Sequence, residues 1–377
     1  FSPTKSGTVY QTQLDIEIEK PDPIHDTLPK QFLLRVKELS GRVSMRKKRF
    51  GIWQEYTWDE VYDHVSLFFH GLKAMGLEAD ETVAIIGEND PEMYWAQLAA
   101  HSASAMTCGV FADALPDPDL IYVIASTNAT FIVAHDQEQV DKALMIKEKV
   151  PQIRKVIYWD DKGMWGYDDE WLMSFEEVEA LGKTHRDKNK GLFEKSIGET
   201  EAEKTIILSM TSGTTSLPKF AMITNYDIMW RHALNRRFAP LYPEDNWLSF
   251  SPMAWLTEQA FGFTPFLLEG FTVNFPESAG TVQTDMREIS PVGLLFPSRV
   301  WENLASTVRF RLNDSTWFNR KLFEYFLKRI SDDYGKSRLV VALNALKLHI
   351  DYIKKNSNVG NELIIFISVS LTALFII

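Results

Sequence analysis

The feature that most constrains the fold is a regular alternation of apolar strand-like runs and helix-like stretches between residues 57 and 159. Thr57 and Glu60 have capping-box spacing, in which each side chain satisfies an amide that the first helical turn leaves unpaired. Val61, Val65, Phe68, Leu72 and Met75 then recur every three or four residues, the period of a helix with one buried face. Gly76 stands where such a helix needs a residue able to turn left-handed. The run 82–86 reads as a strand, and Asn89-Asp90-Pro91 opens a second helix, to about Ala105, with proline at its first position. Strands expected at 107–111, 130–134 and 155–159 alternate with helices at 117–126 and 137–149. Alternation of this kind predicts an α/β fold with a parallel sheet covered by helices, and it identifies no ligand.

Length and charge narrow the rest. The 377 residues suffice for two or three domains, and 45% hydrophobic content supplies a large core. Forty Lys and Arg against 51 Asp and Glu leave a net charge of −11, which argues against nucleic acid as the main partner. Cys108 is the single cysteine, so no intrachain disulfide forms, which suits a reducing, cytoplasmic compartment. No secretory-signal pattern opens the sequence. The glycosylation-type matches at Asn128 and Asn313 read as chance. The eight histidines are scattered without metal-ligand spacing, so metal ligands stay unassigned, and His232 reads as surface or core.

Residues 1–40 read as an N-terminal arm, polar and proline-spotted to residue 30, with a short helix over 31–40. Arg46, Lys47, Lys48 and Arg49 lie between apolar or aromatic flanks and read as a solvated hairpin turn. A first α/β subdomain spans 41–204. It ends in a helix capped by Ser174 and Glu177 and a charged surface linker over 183–204. A second subdomain spans 205–360. In it Asn225 caps a helix to about Arg237, strands fall at 247–250, 272–275 and 292–296, and helices at 258–268 and 299–310 precede a helical insertion over 310–355. The tail, 361–377, holds 15 uncharged residues from Leu363 onward, short of the roughly 20 that span a bilayer. A buried strand is favoured for it over a membrane anchor or a frame-shifted end.

The chemistry concentrates at 205–225, TIILSMTSGTTSLPKFAMITN. Two apolar strands flank a loop of Thr211, Ser212, Gly213, Thr214 and Thr215, followed by Pro218 and Lys219. Hydroxyl donors, amides opened at glycine and a lysine make an anion cradle. A Walker A loop has glycine before its lysine and opens a helix, whereas here Pro218 precedes Lys219 and a strand follows. The alternative reading is a Ser/Thr-rich turn, and the proline and lysine at this offset count against it.

The segment T-S-G-T-T-S-L-P-K over 211–219 resembles the phosphate-loop signature T-S-G-T-T-G-x-P-K-G of adenylate-forming enzymes, with Ser216 and Phe220 where the family has glycines. Two more segments resemble the long-chain acyl-CoA synthetases of that superfamily. One is S-P-M-A-W-L-T-E-Q over 251–259, holding Trp255 and Glu258, and the other is F-P-S-R-V-W-E over 296–302. Weaker likenesses at 56–61, 83–92 and 136–139 extend the resemblance from residue 40 to about 360.

The resemblance implies an N-terminal domain of two stacked subdomains with largely parallel sheets flanked by helices. It implies activation of a long-chain fatty acid with ATP and Mg²⁺ to an acyl-adenylate, then transfer to coenzyme A. By the same resemblance Thr211, Ser212, Gly213, Thr214, Thr215 and Lys219 hold the nucleotide phosphates, with Lys219 and Thr214 the candidate catalytic residues. Trp255 and Glu258 are then the substrate-side candidates, Trp255 as the wall of an apolar acyl tunnel and Glu258 as an anchor of the helix start or a polar network, against the alternative of a packed tryptophan and a first-turn glutamate. The family's Y-G-x-T-E segment, its ribose-binding aspartate and its C-terminal small domain with a late lysine are absent from this sequence, so an N-terminal portion with little turnover of its own is expected. Two alternatives stay open. One is an adenylating enzyme for another carboxylic acid. The other is a non-catalytic ATP- or acyl-binding protein, with peripheral membrane association through the tail.

Overall fold

A computed structural model describes residues 24–211, 218–236, 239–296 and 298–334. Helix α1 (Leu28–Leu39) is capped by Thr27 and leads into a hairpin of β1 (Val43–Arg49) and β2 (Ile52–Thr57). The capping box of Thr57 and Glu60 then starts α2 (Trp58–Ala74), and Gly76 follows at φ +87°. The alternation continues as expected: β3 (Thr82–Ile86), α3 (Pro91–Ser102), β4 (Met106–Val110), α4 (Ile121–Thr127), β5 (Ala129–Ala134), α5 (Gln137–Met145) and β6 (Lys155–Tyr158). A π-helical turn over Pro116–Leu120 precedes α4.

Next come β7 (Leu172–Ser174), α6 (Phe175–Lys188) and α7 (Leu192–Gly198). The hairpin of β8 (Thr205–Thr211) and β9 (Lys219–Thr224) is followed by α8 (Asn225–Asn235) and β10 (Asn246–Leu248). One composite helix runs as α9 (Leu256–Glu258), a π-helical segment (Gln259–Phe263) and α10 (Thr264–Glu269). Strand β11 (Thr272–Phe275), α11 (Val282–Ile289), α12 (Ser298–Asn313) and α13 (Trp317–Tyr334) close the described chain.

Two sheets result. The larger has the order β7-β6-β5-β3-β4-β8-β9 and is parallel except for β9, which pairs antiparallel with β8. The smaller has the order β10-β11-β1-β2 and is parallel except for β2. All twelve residues of α3 are buried. Its small side chains allow close approach, and Tyr94 sets its ring edge-on to Phe263, Phe266 and Phe275 of the elements around the smaller sheet. Trp58 stacks on Phe266 with centroids 4.6 Å apart. On the opposite face of the larger sheet Ile86, Cys108, Ile132 and Val156 form a second core. Burial there pushes the Cys108 thiol up to about 12, so it stays protonated.

Several expectations are corrected. The sheets interleave along the chain: β1 and β2 precede residue 204 yet join β11, while β8 and β9 follow it yet complete the larger sheet. A division of the sequence at residue 204 therefore does not separate the sheets. The basic run is not a solvated turn. Strand β1 lies between β11 and β2, so Lys47 and Lys48 are buried against Asp90 and Asp285, and only Phe50 and Gly51 form the exposed tip. The expected linker at 183–204 holds α7, whose Phe193 and Ile197 are buried. Thr224, not Asn225, caps α8, because the Asn225 carboxamide is taken up by the amide of Leu28 and the carbonyl of Glu201. The strand expected at 292–296 is reduced to one parallel bridge between Gly293 and Trp247. The insertion beyond residue 334 and the tail lie outside the described residues.

Candidate active site

Strands β3, β4 and β8 are neighbours and parallel, so their carboxyl ends share one edge of the larger sheet. In open α/β sheets that edge is where ligands bind, because loops and helix starts converge there. The candidate phosphate loop leaves this edge from β8. Thr211 and Lys219 face each other as the last pair of the hairpin, and the Thr211 hydroxyl donates to the Lys219 carbonyl at 3.0 Å. Both residues are exposed. They are the described ends of the hairpin, and Ser212, Gly213, Thr214, Thr215 and Ser216 lie outside the described residues. The Tyr122 hydroxyl donates to the carbonyl of Pro218, and its ring stacks on Phe220 at 27° with centroids 6.2 Å apart. Phe220, where the related loops carry glycine, is thus a packing residue that ties the hairpin to α4.

One strand away, the turn between β10 and α9 comes to the end of β4. Gly109 on β4 makes this approach possible: a Cβ there would lie 2.7 Å from the Cα of Ala254. Trp255 is half-buried at the tip of the turn and sets its ring edge-on to Phe111, with centroids 6.3 Å apart. The turn is pinned from the loop after β3. The Asn89 carboxamide donates to Ser249 Oγ at 2.9 Å and to the Ser251 carbonyl at 2.7 Å, and it accepts from the Met253 amide at 3.2 Å.

Glu258 does not face the open side of this edge. It is 1% exposed and accepts hydrogen bonds from Ser249 Oγ at 2.6 Å and from the Tyr94 hydroxyl at 3.0 Å. Burial pushes its carboxyl up to about 7, although those hydrogen bonds favour the ionised form. Its neighbour Gln259 exchanges amide hydrogen bonds with Gln97 of α3 at 2.6 and 3.0 Å and also donates to the Met253 carbonyl. The Glu258 carboxylate lies in the interior polar network that holds the Trp255 turn, rather than on the open side of the edge. His232 is also interior, 2.8 Å from Glu269.

Sequence reasoning missed Asn89, Ser249, Tyr94, Gln97 and Gly109. Asn89 was visible only as a helix opener, and Ser249 only as part of a strand. The pairs Asn89–Ser249, Tyr94–Glu258 and Gln97–Gln259 join residues more than 150 apart, so no local pattern marks them. Among the described residues no group of three or more His, Cys, Asp or Glu side chains converges to hold a metal ion.

Comparison with known proteins gives a consistent result. The chain is 23% identical over 282 residues to the long-chain-fatty-acid–CoA ligase ACSBG1 of Rattus norvegicus, covering 73% of this chain and 38% of that protein. It is 22% identical over 315 residues to the long-chain-fatty-acid–CoA ligase ACSBG2 of Xenopus laevis, covering 82% and 42%. The chain thus spans well under half the length of these relatives. Among solved structures it resembles the luciferase-like enzyme of the Zophobas morio mealworm, with a TM-score of 0.59, 14% identity, and 72% and 60% of the two chains covered. It also resembles the anthranilate CoA ligase AuaEII in complex with anthranoyl-AMP, with a TM-score of 0.59, 16% identity, and 72% and 49% covered. At these identities the structural likeness establishes the fold, that of the N-terminal domain of adenylate-forming enzymes. The AMP-binding enzyme family model matches residues 35–344, most of the sequence, and the chain belongs to that family.

Proposed function

We propose that the protein carrying this chain activates a long-chain fatty acid with ATP and passes the acyl group to coenzyme A. One observation carries the reading: the hairpin mouth at Thr211 and Lys219 rises from β8, and the aromatic turn at Trp255 packs against the end of β4, the adjacent strand of the same sheet edge. A phosphate cradle and an apolar wall side by side suit a reaction that joins a carboxylate to a nucleotide phosphate. The choice of a long-chain acid rests on the two fatty-acid ligases at 22–23% identity and on the Trp255 and F-P-S-R-V-W-E segments.

In the proposed step a carboxylate oxygen attacks the α-phosphorus of ATP in line, the bond to the bridging oxygen breaks, and pyrophosphate leaves. Two anions must meet, so positioning and charge neutralisation are the main tasks. Lys219 supplies a positive charge, and Thr211, Ser212, Gly213, Thr214 and Thr215 supply hydroxyl and amide donors to the β- and γ-phosphates. Trp255 borders the acyl and adenylate pocket, and Glu258 holds that border in place. Mg²⁺, when bound with ATP, would supply charge neutralisation at the phosphates, and no described residue is assigned to it. A cytoplasmic setting belongs to the same proposal. Among the described residues no helix is long and apolar enough to cross a membrane.

The test is ATP–pyrophosphate exchange by the intact protein, screened over fatty, aryl and amino acids. Exchange that depends on long-chain fatty acids supports the reading. Exchange driven only by aryl or amino acids would leave the adenylation and remove the acyl specificity, and no exchange with any acid would remove both.

A further inference from the structure

The chain leaves β3 toward β4 on one side, while it leaves β5 toward β6 on the other. The crevice between the carboxyl ends of β3 and β5 is therefore the topological switch point of the larger sheet, the usual ligand site of an open α/β fold. Here it is filled. Gly87, at φ +150°, lets the loop after β3 press against His135, where a Cβ would come within 2.3 Å of the His135 Cβ. His135 stacks on Trp159 at 17° with centroids 5.0 Å apart. The Trp159 indole donates to Asp90 at 3.1 Å, His135 Nε2 lies 3.4 Å from the same carboxylate, and Lys47 of the smaller sheet pairs with it as well. Asp90 is 3% exposed. Burial alone would raise its pKa, but His135 and Lys47 outweigh that and hold it ionised.

A plugged switch point is a rigid mount, and the residue beside Asp90 uses it. Asn89 is 7% exposed, and both ends of its carboxamide are spent on the turn that carries Trp255, through Ser249 Oγ, the Ser251 carbonyl and the Met253 amide. We infer that Asn89 is a positioning residue for the acid substrate: it transmits the fixed geometry of the β3 loop to the Ser251–Trp255 turn and so sets where Trp255 stands. The inference rests on the proposed reaction for its kinetic consequence and not for its structural one. Alanine at 89 leaves the Ser251 carbonyl and the Met253 amide without these partners. Aspartate keeps the acceptor for Met253 but loses both donors and sets a carboxylate against the Ser251 carbonyl.

Two readouts on Asn89→Ala, Asn89→Asp and Ser249→Ala in the intact protein test it. The first is hydrogen exchange followed by mass spectrometry. Amides from Met253 to Leu256 should exchange about tenfold faster in both Asn89 variants, with β3, β4 and β8 as protected as in the unaltered protein. The second is pyrophosphate exchange. The KM for the fatty acid should rise by about tenfold while the KM for ATP stays within about twofold. Unchanged protection over 253–256 would overturn the inference. Equal changes in both KM values with a lowered Tm would overturn it too, because a purely structural residue gives no such split. If Asn89→Ala fails to fold, Asn89→Asp and Ser249→Ala carry the same comparison. If no acid supports exchange, the proposed reaction fails, and the hydrogen-exchange result still decides the role of Asn89.

Discussion

Gly109 and Ala254 meet backbone to backbone: a Cβ on Gly109 would stand 2.7 Å from the Ala254 Cα and 2.9 Å from its nitrogen. Neither atom can swing aside as a side-chain tip can, so the β4 strand or the Trp255 turn must move if a side chain is added. Gly109→Ala should destabilise the protein by about 1–3 kcal/mol, the usual cost of overpacking. It should also alter the tryptophan emission of the native state as Trp255 leaves Phe111. Urea unfolding followed by fluorescence checks both. Stability within about 0.5 kcal/mol of the unaltered protein, with the same emission, would show that the turn yields without cost.

Phe220 and Ser216 occupy positions where the related phosphate loops carry glycine, which permits φ > 0 and close backbone approach. Restoring both glycines should tighten ATP binding in the intact protein. The structure adds a cost to this gain, because the Phe220 ring stacks on Tyr122 and the Tyr122 hydroxyl holds the Pro218 carbonyl. Phe220→Gly alone should lower stability by about 2 kcal/mol, less than a fully buried phenylalanine loses, because Phe220 is only half-buried. Calorimetric titration with ATP and thermal unfolding of the single and double variants separate the two effects. Unchanged ATP affinity in the double variant would show that the two side chains are harmless to the cradle.

Local signals made the larger sheet legible. The Thr57–Glu60 capping box, the 61–75 period and Gly76 predict α2, and the strands at 82–86 and 155–158 fall where apolar runs place them. The smaller sheet was less visible because its strands come from distant parts of the chain. Nothing near Met45 signals that it pairs with Val273. Lys47 and Lys48 misled for the same reason: a buried lysine is recognisable only by its partner, and Asp285 is 237 residues away. At the site, the hairpin and Trp255 were legible as motifs. Glu258 was legible as a position and as a candidate for a polar network, but its partners, the Tyr94 hydroxyl and Ser249 Oγ, were not.

Glu258 and Glu92 each add to the stability a pH-dependent contribution of unusual sign for a carboxyl. Burial raises both carboxyls to about 7 from an ordinary value of 4.5. Between about pH 4.5 and 7 these two carboxyls keep protons that the unfolded chain releases, so their contribution to stability falls as pH rises, by at most about 1.4 kcal/mol per pH unit for each group, while buried His70 and His101, lowered to about 4 and about 3, contribute with the opposite sign. Glu258→Gln keeps an acceptor for Ser249 and Tyr94 and removes one titration. The stability of the variant relative to the unaltered protein should therefore rise from pH 5 to pH 7, as read from urea midpoints at pH 5, 6 and 7. The same slope in the variant and the unaltered protein would show that Glu258 does not titrate in this range.

In the proposed reaction the Thr211–Lys219 hairpin neutralises nucleotide phosphates while an acid held beside Trp255 attacks. Its most direct measurement is pyrophosphate exchange dependent on a long-chain fatty acid, by the intact protein and its Lys219→Ala variant, with thermal unfolding as the control for folding. Lys219 is exposed at the end of β9, so its loss should leave the Tm within a few degrees. Exchange should then drop by about 100-fold, the scale expected when one preorganised charge is removed from a phosphoryl-transfer site. Exchange by the variant equal to that of the unaltered protein would contradict it.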